Sequence, residues 1–130
     1  MSDIEGAIMI DYAVQTNELT RDFGRVRAVD HLTLKIPRGM VFGFLGPNGS
    51  GKTTTIRMLL GLLEPTSGSA QVLGYDVVDE AADIRARAGA LMEYDGLYQR
   101  LTAEDNLEFY GRIYNMSRES RKARVRELLQ

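Results

Sequence analysis

The chain has 130 residues, of which 44% are hydrophobic and 26% charged, with a formal net charge of −2. That length can bury a core, the composition is that of a soluble globular protein, and the acidic balance excludes a global attraction to nucleic acid or to an anionic membrane surface. There is no cysteine, which excludes disulfides, thiol nucleophiles and cysteine-ligated zinc.

At the N-terminus Asp3 and Glu5 stand where a leader would carry basic residues, so no signal peptide is expected. No apolar run approaches the ~18 residues of a membrane span. From residue 8 to 14, Ile8, Ile10, Tyr12 and Val14 alternate on one face, which predicts a half-buried strand. Asn17 to Arg27 is polar and reads as turn-like, with one exposed aromatic, Phe23, before Gly24. Leu32 to Ile36 alternates and predicts a second strand, opened by the only histidine, His31. Pro37-Arg38-Gly39 predicts a tight turn and an antiparallel hairpin with Met40–Leu45, an apolar run expected as a strand covered on both faces.

That run leads into Gly46-Pro47-Asn48-Gly49-Ser50-Gly51-Lys52-Thr53-Thr54, which fits the phosphate-binding pattern G-x-x-x-x-G-K-[ST]. Glycines let the backbone close around an anion, successive N–H groups point inward, and the following helix adds its positive dipole end. Lys52 is of a length to meet β- and γ-phosphates, and the Thr53 hydroxyl can ligate Mg²⁺. Ile56, Leu59, Leu60 and Leu63 predict the buried face of that helix.

Glu64-Pro65-Thr66-Ser67-Gly68 ends the helix, Ala70 to Leu73 predicts a short strand ended by Gly74, Asp79 to Arg87 a helix, and Ala88 to Met92 a further strand. Val77-Val78-Asp79-Glu80 imitates an acidic strand end, but Gly74 and Asp76 break its apolar run, and it reads as the lead-in to a helix. Beyond Tyr94 the chain turns helical. Thr102 and Asp105 have the spacing of a capping box, Leu107, Tyr110, Ile113 and Tyr114 make one stripe, and Glu108 and Arg112 pair outside it. Ser117 caps a last helix with Val125, Leu128 and Leu129 inward; its many arginines, interleaved with Glu119 and Glu127, read as a solvated face and not as a nucleic-acid surface.

An aromatic ahead of the loop, then GPNGSGKTT, then GLYQRLTAEDNLEFYGRIY, resembles the ATP-binding subunit of an ABC transporter, above all subunits of small-molecule or drug exporters. The resemblance runs from about Ile8 to the end. It implies an α/β P-loop nucleotide-binding fold: a nucleotide-binding core with an N-terminal antiparallel β part over about 1–93, and the start of a helical subdomain over about 94–130. It implies ATP and Mg²⁺ as ligands. Phe23 matches the aromatic that stacks on adenine, Gly46 to Thr54 the phosphate loop, and Glu93 the family's Gln-loop position, which touches the metal and the transporter partner. The partners implied are a membrane-spanning transporter subunit and a second ATP-binding subunit, on the cytoplasmic, inner face of the cell membrane.

The family's LSGGQ signature, its strand ending in Asp-Glu and its switch histidine, all in the second half of the fold, do not occur in these 130 residues. Hydrolysis by this chain alone is therefore not expected, since no residue here positions the attacking water. The residues by themselves leave two other classes open. One is a different P-loop enzyme, a GTPase or small-molecule kinase; the other is a non-catalytic module that pairs with an intact subunit and regulates it.

Overall fold

A computed structural model describes residues 11–91 and 96–130, in two compact units, Met1–Gly89 and Ala90–Gln130. The first unit is built on a long hairpin of β1 (Tyr12–Phe23) and β2 (Val26–Pro37). Strand β3 (Ser67–Val72) pairs with the other edge of β1, and a two-residue β4 (Tyr75–Asp76) follows it through a tight turn. The order is β2-β1-β3-β4, antiparallel throughout. Ile8 and Ile10 of the first expected strand lie outside the described residues.

Most of the polar stretch from Asn17 to Arg27 is strand, not turn, and the hairpin closes at Gly24-Arg25. Bulges hide the alternation: register slips between Thr16 and Leu19, between Leu19 and Arg21, and between Arg21 and Asp22. Hydroxyls also make burial of polar residues cheap here. Thr16 is 3% exposed and donates to the Leu32 carbonyl at 2.7 Å; the Thr20 hydroxyl accepts from the His31 N–H at 3.0 Å and donates to the Glu18 carbonyl at 3.0 Å. His31 therefore sits inside β2, at a bulge with φ +46°, and does not open the strand.

Residues 40–45 form no strand, so the hairpin expected across Pro37-Arg38-Gly39 is not formed either. Val41 and Leu45 are almost wholly exposed, and Phe42 and Phe44 meet edge to face at 5.4 Å. An apolar run becomes a strand only with a neighbour to take its N–H and C=O groups, and among the described residues none pairs with it. Ala88 to Leu91 likewise form no strand, while Met92 lies outside the described residues.

Helix α1 (Lys52–Leu59) packs on β2 and β3 through Thr55 and Met58, whereas Ile56 is exposed and Leu59 half-buried. The helix ends before Leu60 and Leu63, so those two could not extend its stripe. Leu19, Met58 and Ile84 are fully buried, with Val29, Ala70 and Val72 around them. Each such side chain contributes about 1.5–3 kcal/mol of hydrophobic burial. Ile84 belongs to α2 (Ala81–Arg87), and the acids before it shape its approach: the Asp76 carboxylate accepts from the N–H groups of Val78 and Asp79, and Glu80 from that of Asp76.

The second unit pairs α3 (Ala103–Ile113) with α4 (Arg118–Leu128). Both expected caps form: the Thr102 hydroxyl accepts from Asp105 N–H at 3.1 Å and Ser117 from Ser120 N–H at 3.2 Å. Val125 is buried, but Ile113, Tyr114, Leu128 and Leu129 are exposed. Arg121 crosses Gly111 and bonds Glu108 at 2.6 Å, which holds the Glu108 carboxyl below its usual range; Arg112 is farther from it, at 3.7 Å. Among the described residues no helix is long and apolar enough to cross a membrane.

Asn106 explains why the loop before α3 has its shape. It is buried, its amide donates to the carbonyls of Tyr98, Leu101 and Thr102 at 3.0–3.3 Å, and its oxygen accepts from Tyr98 N–H at 2.8 Å. Asn106→Ala is expected to cost on the order of 2–3 kcal/mol by orphaning those groups. Hydrogen exchange at the Tyr98 amide should accelerate by about a hundredfold; an unchanged rate would show that the side chain does not hold the loop.

Candidate functional site

Gly46 to Gly51 is an exposed loop that turns directly into α1. Ser50 N–H donates to the Pro47 carbonyl at 3.2 Å, which tightens the turn. Gly51 is the N-cap residue, in the left-handed region at φ +87°, and a Cβ there would lie 2.2 Å from the Ala28 carbonyl oxygen. On Gly46 a Cβ would come within 2.7 Å of Ser50 Oγ. The loop is thus wound too tightly for a side chain at Gly51, where the obstacle is backbone, whereas at Gly46 only the Ser50 side chain would have to turn.

Lys52 lies across this loop. Its ammonium donates to the carbonyls of Gly46 and Pro47 at 2.7 and 2.6 Å and to Ser50 Oγ at 3.3 Å. Thr53 and Thr54 follow in the first turn of α1, where N–H groups have no intrahelical acceptor, whereas the Thr55 N–H donates to the Gly51 carbonyl at 2.8 Å. Thr55 is buried and donates its hydroxyl to the Gly51 carbonyl at 2.9 Å, while Thr53 is exposed and its hydroxyl makes no hydrogen bond among the described residues. One free hydroxyl beside an anion cradle suits Mg²⁺, which takes few protein ligands and keeps waters and phosphate oxygens. Among the described residues no cluster of three metal-ligating side chains exists. Glu93 lies outside the described residues.

Phe23 stands at the tip of the β1–β2 hairpin, 47% exposed, paired with Val26. Ala28, which meets Gly51, is two residues beyond Val26, about 7 Å along the strand at ~3.3 Å per residue. The aromatic therefore lies at the end of the hairpin that touches the loop. The contact itself was not legible in the sequence. Arg21 pairs with Val29 and Asp22 with Arg27, so Ala28 is the extra residue of a bulge, and the bulge brings its carbonyl to Gly51.

Beside the loop a depression of about 380 Å³ is lined by Arg27, Asp30, Phe44, Ser50, Lys52 and Thr55 among others. Arg27 and Asp30 were not singled out by sequence reasoning. Arg27 is held by Asp22 at 2.9 Å and Asp30 at 3.0 Å, and Asp30 also meets His31 Nδ1 at 2.6 Å. The hydrogen bonds that Arg27 donates to Asp22 and then to Asp30 raise its pKa; those that Asp30 makes with His31 and then Arg27 lower that of Asp30.

The family model described as "ABC transporter" matches residues 29–130. Among curated relatives, the bacitracin transport ATP-binding protein BcrA of Bacillus licheniformis is 40% identical over 89% of this chain and 38% of its own length. The daunorubicin/doxorubicin resistance ATP-binding protein DrrA of Streptomyces peucetius is 42% identical over 90% of this chain and 36% of its own. The chain thus spans under two fifths of the length of these two relatives. Of solved structures, the dimeric post-hydrolysis state of the ATP-binding cassette MJ0796 bound to ADP and Pi is 28% identical, with a TM-score of 0.73 over 88% of this chain and 54% of that one. The cbiO1 protein of Clostridium perfringens, part of the cbiONQ transporter complex, has the same fold at 22% identity, with a TM-score of 0.75 over 92% of this chain and 49% of that one. The α/β nucleotide-binding fold, with its antiparallel β part, is the one expected, and this chain belongs to the ABC transporter family.

Proposed function

We propose that this chain is the ATP-binding part of an ABC transporter subunit that couples ATP binding and hydrolysis to export of a small molecule. The observation that supports this most directly is the Lys52 ammonium held over a glycine loop at the start of α1, an arrangement suited to a polyphosphate. In this reading Gly46, Pro47, Asn48, Gly49, Ser50 and Gly51 wrap the phosphates, with Lys52, Thr53 and Thr54 at the helix start. Phe23 stacks on the adenine. The Thr53 hydroxyl and the Glu93 carboxylate would hold Mg²⁺, which when bound offsets the charge of the β- and γ-oxygens.

Likeness to a bacitracin transport ATP-binding protein and to a daunorubicin/doxorubicin resistance ATP-binding protein favours an exporter. The working assembly in this reading is a pair of ATP-binding subunits against a membrane-spanning subunit, at the cytoplasmic face of the cell membrane.

Titration with a fluorescent ATP analogue, competed by ATP or GTP, tests the reading: preference for GTP would sink it. Phe23→Ala should weaken ATP about fivefold and leave inorganic triphosphate unaffected, since only ATP has a base. That is the lower end of the 1–3 kcal/mol known for base–aromatic stacks, as suits a half-exposed ring. Equal losses for both ligands would mean that Phe23 supports the loop and does not meet the base.

A further inference from the structure

Arg21 precedes Phe23 by two residues on β1, so strand alternation puts both side chains on one face. Its guanidinium carbon lies 4.6 Å from the Phe23 ring centroid, and Nη1 donates to the Glu64 carbonyl at 2.8 Å. Nε is buried and has no hydrogen-bond partner. A buried orphan donor is uncommon, and a free arginine would turn to satisfy it. This one is fixed by two other contacts, the ring and the carbonyl.

We infer that Arg21 is a positioning residue for the base: it covers one face of Phe23, so that a purine stacks on the opposite face. Nothing in the phosphate-loop pattern includes Arg21, and this assignment rests on the proposed adenine contact of Phe23. The tether matters as much as the stack. Glu64 lies in the segment that leaves α1, the helix that begins at the phosphate loop, so Arg21 ties the base platform to the chain running on from that helix. Ring and loop then keep a set spacing before the nucleotide arrives, which lowers the ordering cost of binding. A cation on the ring face also holds the ring in one orientation.

The experiment compares ATP with inorganic triphosphate on wild type, Arg21→Met, Arg21→Lys, Phe23→Ala and the Arg21→Met/Phe23→Ala double variant, each in the full chain. Arg21→Met should weaken ATP about two- to fivefold, the range of an exposed cation–π contact, and leave triphosphate unchanged. Arg21→Lys, which keeps the cation, should recover part of the loss. With Phe23 already removed, Arg21→Met should cost nothing more. An equal loss for both ligands, or a loss that persists without Phe23, would overturn the proposal and leave Arg21 a support of the hairpin. Failure of the underlying reading looks different: wild type binds neither ligand, or Phe23→Ala does not separate them, and then both fall. A measurement that needs no variant guards against misfolding. In wild type the Arg21 Nε–H resonance, shifted by the ring, should move on adding ATP and stay put on adding triphosphate; a resonance that ATP does not move counts against the assignment.

Discussion

Lys52→Ala should bind ATP roughly ten- to a hundredfold more weakly than wild type while remaining folded. The affinity figure follows from loss of a charge-assisted hydrogen bond, about 1.5–3 kcal/mol. Retention of the fold follows from where the side chain is. All three ammonium protons go to loop acceptors, the Gly46 and Pro47 carbonyls and Ser50 Oγ, on an exposed surface where water can replace the lysine. The lysine draws the loop closed over its own charge and, in the proposed reading, offers that charge to an anion entering from solvent. Removing it should therefore lower affinity for ATP and inorganic triphosphate alike, in contrast to Phe23→Ala. Circular dichroism and thermal unfolding check the fold; equilibrium titration checks affinity. A folded variant with unchanged affinity would take the loop out of nucleotide binding.

The loop was legible because its chemistry is local. Gly46, Gly51, Lys52 and Thr53 specify a turn, a helix start and two functional groups within eight consecutive residues. The caps of α3 and α4 were legible for the same reason, since Thr102 and Ser117 act on residues three positions away. What the sequence concealed depends on distant partners. Asn17 to Arg27 looked like a loop because its bulges break the two-residue period and its buried Thr20 is satisfied by β2 and by its own strand. Residues 40–45 looked like a strand because they are apolar, but pairing is a property of two segments and no partner lies beside them among the described residues. In α1 the apolar stripe pointed to Ile56, whereas Thr55 and Met58 are the buried residues, the Thr55 hydroxyl satisfied one turn back by Gly51. The approach of Ala28 to Gly51 joins residues 23 positions apart through a bulge, and no periodicity announces it.

Gly51→Ala should be far more damaging than Gly49→Ala, although the two glycines have almost the same backbone, φ +87° and +84°. Placing an L-residue in the left-handed region costs roughly 1–2 kcal/mol at either position. The surroundings then separate them. A Cβ on Gly49 meets nothing within 4 Å, whereas one on Gly51 would stand 2.2 Å from the Ala28 carbonyl oxygen and 3.3 Å from a Val29 methyl. That oxygen belongs to backbone inside a β-strand and cannot swing aside like the end of a side chain. Either β2 shifts away from the loop or the loop leaves the helix start, and overpacking of this kind adds about 1–3 kcal/mol to the strain. Thermal midpoints should therefore fall by roughly 10 °C or more for Gly51→Ala and by only about 5 °C for Gly49→Ala, at about 3–5 °C per kcal/mol for a chain of this size. Nucleotide affinity should follow the same order, because the displaced N–H groups at the helix start are those that face the phosphates in the proposed reading. The comparison holds φ constant and varies only the neighbour, so it isolates the contact between hairpin and loop. Equal shifts in the two variants would mean that β2 does not press on Gly51, and the hairpin would then have no part in shaping the site.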